Sequence, residues 1–446
     1  VDDLGLGEEL LDSTFPADVR AALRSAGNEG VLRAIGAHVC DTRGANETPL
    51  DETSEQIREA VREFADKEVA PRAESIHRGD LLIPDELLAG LAELGCFGLS
   101  IPQRYGGVMD DAEADTLSML LATEELSAAS LGAAGSLITR PEVLGRALLA
   151  GGTEEQKARW LPRLASGEQL CAVAVTEPDH GSDVASMQLR AERTETGYRL
   201  RGAKMWSTLA GRAELLMVLA RTDPDPKAGH RGLSLFVIEK PPFEGHDFEV
   251  EQEGGGSLRG RAIATLGYRG MHSYELFFDG WEAPESSLVG GEAGLGRGFY
   301  MTMAGFAGGR IQTAARAVGV MQAAFAEALE YARRRRAFGS PIGTFALTRS
   351  KLARMAARLH ASRRLSYAAA AAVDAGGGDM EAAMAKLFAS RAAEEVTREA
   401  MQIHGGLGYA EETPVSRYFV DARVLSIFEG TEEILALKVV ARSLLE

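Results

Sequence analysis

The strongest constraint on this chain is a double change of hydrophobic period. From Asp51 to about Leu170 apolar residues fall three and four apart, as in "SEQIREAVREFADKEVAPRAE" and "DELLAGLAELGCFGLS", broken by Pro and Gly, the spacing of amphipathic helices. Between roughly Cys171 and Pro284 the texture shifts to short β-prone runs, "GYRLRGAKMWST", "AELLMVLART", "GLSLFVIEK" and "SYELFFDGWEAP", separated by Gly, Asp and Pro. From Gly298 onward long Ala-rich helical patterns return, among them "RIQTAARAVGVMQAAFAEALEYARRRR" and "EAAMAKLFASRAAEEVTREAMQIHGG". A chain of 446 residues is too long for one ordinary core. The expected class is therefore α+β, mostly α, with a β unit set between two helical ones. The expected limits are an N-terminal appendage at 1–50, a helical domain at 51–170, a β domain at 171–290 and a helical bundle at 291–446. Within the β part, "FEGHDFEVEQEGGGSLRGRAIAT" is polar and Gly-rich and reads as a loop. The appendage mixes short helical pieces with the loop-like "CDTRGANETPLDET".

Composition narrows the function. A net charge of -17 argues against nucleic acid, whose phosphates call for a basic surface. No run approaches the ~18 apolar residues of a membrane span, and the start does not resemble a signal peptide, so a soluble, cytoplasmic protein is expected. Cys40, Cys96 and Cys171 lie far apart without CxxC spacing, and the histidines form no HExxH-like pair, so neither a disulfide framework nor a metal site is expected. The basic residues are mostly Arg, which weakens any inference from an isolated one.

One acid stands out. The stretch "RVLSIFEGTEEILAL" sets Glu429 between an apolar run and a Gly-Thr pair, where one helix ends and another begins. Ile427 and Phe428 read as buried, Gly430 permits a tight backbone, and Thr431 with Glu432 and Glu433 has the form of a capped helix N-terminus. Glu429 is thereby expected to face a cavity. On residue type alone, a solvated acid is the commoner outcome, as is a core role for Trp206, a strand role for Thr208 and a solvated helix end for Arg140. Arg333 and Arg334 read as a solvated basic helix end. "HGGLG" does not link a strand to a helix in a βαβ unit, which rejects a Rossmann reading.

Five motifs occur in order: "VTEPDHGSD" (Val175 to Asp183), "GAKMWST" (Gly202 to Thr208), "RRAFGSPI" (Arg335 to Ile342), "QIHGGLGY" (Gln402 to Tyr409) and "FEGTEEI" (Phe428 to Ile434). With the helix–strand–helix texture around them, the chain from about Asp51 to its end resembles the acyl-CoA dehydrogenase family. The resemblance implies an N-terminal helical domain, a central β domain and a C-terminal four-helix bundle, with FAD between them and usually a homotetramer, a dimer being the alternative. "GSLITRPEV", "LGYRGMHSYELFFDG" and "AGGRIQTAARAVGVMQAA" are similar to the local variants of members that form a 2,3-double bond in a branched dicarboxylyl thioester, the methylsuccinyl group. The alternatives are a general short- or branched-chain dehydrogenase and, less favoured, an oxidase or an inactive scaffold. An oxidase is expected to carry a further C-terminal domain.

The same resemblance implies the site. Glu429 matches the family's base, which removes the α-proton of an acyl thioester while the β-hydrogen leaves as hydride to the flavin. A carboxylate is a poor base toward carbon, so the substrate must be acidified; the Glu429 backbone N–H and a ribityl hydroxyl of FAD are implied as donors to the thioester oxygen. Some relatives carry the base directly before Arg310; here that position is Gly309, which cannot abstract a proton. Arg310 is a substrate-side candidate, more often a support for the helix packing around the base. Thr176 and Ser182 match contacts to the flavin and the thioester region, and Trp206 and Thr208 flank the flavin ring, with Ser207 replacing the commoner Ile between them. Arg335, Phe338, Gln402 and Gly406 match residues that hold the FAD pyrophosphate and adenosine from a neighbouring subunit, for which an arginine fork is suited. Thr431 joins the cofactor set, and Ala346 stands where the family often has Gln. Arg140 falls on the helix that lines the acyl pocket, where it is expected to pair a second substrate carboxylate whose burial is otherwise costly. Electron-transferring flavoprotein is the implied electron acceptor.

Overall fold

The computed structural model describes residues 28–445 except 43, 45–48, 113 and 254, so most of the expected N-terminal appendage lies outside the described residues. Helix α1 spans Glu29–Thr42, α2 Glu52–Phe64, α3 Ala70–Gly79, α4 Asp85–Glu93, α5 Thr116–Ala129, α6 Thr139–Gly151 and α7 Glu154–Ala165. Local chemistry sets their starts. The Asp51 carboxylate accepts the Ser54 N–H at 2.9 Å to open α2, and Thr153 and Gln156 form a reciprocal capping box at α7.

Strands β1 (Cys171–Ala174), β2 (Arg190–Arg193), β3 (Gly197–Thr208), β4 (Leu215–Arg221), β5 (Leu233–Glu239), β6 (Asp247–Glu251), β7 (Ser257–Ile263) and β8 (Ser273–Pro284) form one mixed sheet in the order β1-β4-β2-β3-β8-β7-β6, with β5 on β4. The long helix α8 (Gly298–Arg334) follows, then a hairpin of β9 (Arg336–Ala337) and β10 (Ser340–Pro341), then α9 (Ala346–Asp374), α10 (Asp379–His404), α11 (Pro414–Leu425) and a helical C-terminal run from Glu432. Phe338 and Gly339 turn that hairpin with φ of 50° and 80°, the left-handed pair a two-residue turn requires.

The segment expected to be a loop is instead the antiparallel β6–β7 pair, with Phe248 opposite Gly260. Phe248 and Leu258 point into the core while Glu249 and Arg259 stay exposed. A Cβ on Gly260 would meet the Phe248 ring at 2.1 Å, so this glycine serves ring packing rather than flexibility.

One core is built jointly by both helical regions, with Val61, Leu87 and Leu126 packed among Ala314, Val318, Ala389 and Leu425. Another ties Leu144, Leu148 and Trp160 to Met217, Leu219 and Leu235 of the sheet. Together they clamp α6 between the sheet and α8, and so fix Arg140 on α6. No described helix is long and apolar enough to cross a membrane.

Candidate active site

Helix α11 stops at Leu425, and the chain then turns through two successive left-handed residues, Glu429 (φ 55°) and Gly430 (φ 96°), before Thr431 caps the next helix by accepting the Ile434 N–H at 3.4 Å. A left-handed glutamate is strained and persists only where its surroundings hold it. Lys386 supplies one restraint: its fully buried ammonium donates to the Gly430 carbonyl at 2.7 Å. Burial, partly offset by the Glu429 carboxylate, pulls the Lys386 pKa down to about 8. The turn carries the Glu429 side chain to α8, where a Cβ on Gly309 would stand 2.9 Å from its Oε2. That oxygen is buried and has no protein partner. No backbone carbonyl among the described residues accepts the Glu429 N–H. Phe428 is half-buried and packs on the core; Ile427 does not, being 51% exposed, because the turn that sends Glu429 inward sends its second neighbour outward.

Basic groups ring this carboxylate. Arg310 is half-buried, its Nε lacks a partner, and burial lowers its pKa against the pull of Asp379 and Glu429. Arg316, two turns further along α8, is fully buried. It lies over the Phe428 ring at 4.7 Å and donates to the Ser136 hydroxyl at 3.1 Å, the Thr313 hydroxyl at 2.8 Å, and the Gln312 and Gly309 carbonyls at 3.3 Å each. Arg140 is 7% exposed, not a solvated helix end, and donates to the Tyr268 hydroxyl at 3.2 Å and the Ser136 carbonyl at 3.4 Å. Tyr268 sets its ring edge-on to Phe428, 5.6 Å between centroids. Its own backbone is left-handed (φ 59°), anchored by the Asp421 carboxylate, which accepts its N–H at 2.7 Å. Arg316 and Tyr268 were not singled out by sequence reasoning. The signal for Arg316 was present in "TAARAVG", an arginine in a helix flanked by small apolar residues on every side.

A second group lies at the sheet. The Met205 N–H donates to the Thr176 carbonyl at 2.8 Å, joining the two motifs expected to meet the flavin. Trp206 is not a core residue: its φ is 61° and it is 51% exposed. Thr208 is buried and shares a 2.9 Å hydrogen bond with Ser273, while Ser182 is exposed and the Ser207 hydroxyl is buried without a partner. Beneath them Lys204 and Glu177 form a buried pair at 2.9 Å.

A third group gathers around the β9–β10 hairpin and the end of α10, which a Tyr331–His404 ring stack at 4.3 Å holds together. Arg335, Phe338, Gln402 and Gly406 are all exposed there, Phe338 by 99%. Among the described residues no hydrogen bond or ring contact links this group to Trp206 or Thr176. Elsewhere, Asp80, His246 and His272 bring one ligand-type atom each within 4.8 Å of one another, but Arg269 already approaches Asp80 at 3.6 Å and His272 meets the Gly270 carbonyl at 3.1 Å.

Comparison with known proteins gives concordant matches. Three family models align in order: acyl-CoA dehydrogenase N-terminal domain at residues 51–168, middle domain at 172–281 and C-terminal domain at 296–445. The chain is 42% identical over 451 residues to (2S)-methylsuccinyl-CoA dehydrogenase of Cereibacter sphaeroides, covering all of this chain and 79% of that protein. Among solved structures it resembles butyryl-CoA dehydrogenase from Megasphaera elsdenii, with a TM-score of 0.81, 33% identity, and coverage of 90% of this chain and 100% of that one. A structure of the electron transferring flavoprotein of Acidaminococcus fermentans matches with a TM-score of 0.80 and 33% identity, over 90% of this chain and 100% of that one.

Proposed function

The chain belongs to the acyl-CoA dehydrogenase family, and from that premise we propose that it converts (2S)-methylsuccinyl-CoA to mesaconyl-CoA. The observation that carries the substrate is Arg140: a buried guanidinium on α6 whose hydrogen-bond partners, Ser136 and Tyr268, are both neutral. A buried cation without an anion is costly, and the free carboxylate of a methylsuccinyl group offsets that cost. The (2S)-methylsuccinyl-CoA dehydrogenase relative supports the same substrate.

Glu429 is the base. Its unpartnered Oε2 is free to take the α-proton, Gly309 leaves it room, and the unclaimed Glu429 N–H is available to the thioester oxygen, where it stabilises the charge that develops as the proton leaves. FAD, when bound, supplies the hydride acceptor. The residues present fit it: an exposed indole at Trp206 offers a face for a flat ring, with Thr208 on the same strand and Thr176 bonded to the neighbouring Met205, Ser182 exposed in the Thr176 motif, and Thr431 after the base. Arg335, Phe338, Gln402 and Gly406 form an open cationic and aromatic patch suited to pyrophosphate and adenine. As the family resemblance implies, the cofactor is shared between subunits of a homotetramer, with a dimer as the alternative. The likeness to the electron transferring flavoprotein structure supports such a protein as the electron acceptor.

The test is kcat/KM for methylsuccinyl-CoA, 2-methylbutyryl-CoA and butyryl-CoA with an artificial electron acceptor. Preference for the first is expected. Equal values would favour a general short- or branched-chain dehydrogenase, the reading that the butyryl-CoA dehydrogenase likeness supports.

A further inference from the structure

Asp80, His246 and His272 are far apart in the chain, so no spacing in the sequence links them. Asp80 ends α3 with a left-handed backbone (φ 51°), His246 directly precedes β6, and His272 (φ 50°) directly precedes β8. The fold brings one ligand-type atom of each within 4.8 Å of the others, where the end of a helix meets the sheet. The hydrogen bonding of His272 defines what this seam lacks. Its Nδ1 lies 3.1 Å from the Gly270 carbonyl, which can only accept, so Nδ1 carries the ring proton. In the neutral ring Nε2 is then an acceptor, and it stands 3.2 Å from Oδ1 of Asp80, a second acceptor. His272 is buried, where two opposed lone pairs are costly, and the pair calls for a positive group between them. A backbone carbonyl that holds Nδ1–H while Nε2 faces outward is also the arrangement that orients a metal-ligating histidine. With bonds of about 2.0–2.1 Å, two ligands of a tetrahedral cation stand roughly 3.3 Å apart. The 3.2 Å between Nε2 and Oδ1 matches that edge.

We propose that Asp80, His246 and His272 bind a divalent cation of the zinc class, which clips the end of α3 to the sheet. His246 supplies the third ligand: its ring is exposed, lies 4.4 Å from the His272 ring between centroids, and among the described residues its nitrogens enter no hydrogen bond, so it is free to turn toward the ion. The Ala262 N–H, donating to the His246 carbonyl at 2.7 Å, fixes the backbone from which it turns. Water completes the fourth position. Arg269 does not take the ion's place. It stays 3.6 Å from Oδ1 of Asp80, beyond hydrogen-bond length, while its Nε donates to the Thr265 carbonyl and a terminal N–H to the His77 carbonyl, each at 3.1 Å. Two imidazoles with one carboxylate suit zinc and its first-row neighbours rather than calcium or magnesium, which take oxygen ligands. An ion that binds only the folded arrangement stabilises it.

The test uses the FAD-loaded protein, treated with EDTA, freed of chelator and titrated with zinc sulfate, with bound zinc per chain and Tm as the readouts. One equivalent is expected to bind at this seam, and Tm is expected to rise with the logarithm of free zinc. His246→Gln alters an exposed side chain, so the fold should survive while zinc binding weakens at least about tenfold, the lower end for loss of support even behind a ligand. Asp80→Asn should do the same. Absence of bound zinc and of any Tm shift in the unmodified protein would mean that Asp80 and His272 share only a proton, and would overturn the site. Zinc binding at full affinity in both His246→Gln and Asp80→Asn would place the ion elsewhere and overturn it equally.

Discussion

Gly309 and the Glu429 carboxylate occupy a space that only one of them can fill: a Cβ on Gly309 would come within 2.9 Å of Oε2 and 3.2 Å of Cδ. The atom in the way is the tip of a flexible side chain, so Gly309→Ala displaces the Glu429 carboxylate rather than the backbone. Thermal stability is expected to stay close to that of the unmodified protein while kcat falls about tenfold to a hundredfold, the scale of a misplaced catalytic group. Unchanged kcat in a folded Gly309→Ala protein would show that the carboxylate does not work from this position.

Arg140→Met keeps about the length of the unbranched stem and removes the guanidinium with its charge. Preference for methylsuccinyl-CoA over 2-methylbutyryl-CoA should collapse by about a hundredfold, the order of a broken buried charge contact. Steady-state kcat/KM for both thioesters reads this directly. A preserved ratio would move the carboxylate away from α6.

Lys386 gives a pH signature. Its pKa is near 8 folded against an ordinary 10.5. Between those values the unfolded chain binds the proton that the folded one has released, so this group makes stability rise with pH from about 8 to about 10.5 and contributes no slope below 8. Lys386→Met should lose that rising contribution in denaturant titrations. It should also lower kcat by about tenfold, since the Gly430 carbonyl loses the ammonium that fixes the turn beside Glu429. An identical pH dependence in both proteins would contradict the burial argument.

Arg335→Ala and Phe338→Ala alter side chains that the chain itself leaves exposed, so folding should be little affected. Flavin-to-protein absorbance after desalting should drop in both, and light scattering should report a smaller assembly in Arg335→Ala. Full flavin content with an unchanged mass would place the pyrophosphate elsewhere.

The alternation of helical and β texture was legible in sequence because long periodic segments impose their own geometry. The β6–β7 hairpin was not, because its solvent face is charged and its glycine serves the Phe248 ring, both of which mimic a loop. The turn after Phe428 could be read from Gly430 and the Thr431 cap, but the left-handed backbone of Glu429 could not, and it is what exposes Ile427. The small apolar neighbours of Arg316 signalled its burial, but in an Arg-rich chain the residue type by itself does not separate the buried arginines from the solvated ones.

As the proposed base, Glu429 takes the α-proton of methylsuccinyl-CoA. Anaerobic mixing of that thioester with the FAD-loaded protein, followed by absorbance of the oxidised flavin, tests it in one turnover. The unmodified protein should bleach, and Glu429→Gln, with FAD retained, should bleach at least about 10³-fold more slowly, within the range for loss of a general base. Bleaching of Glu429→Gln at the unmodified rate would contradict the account.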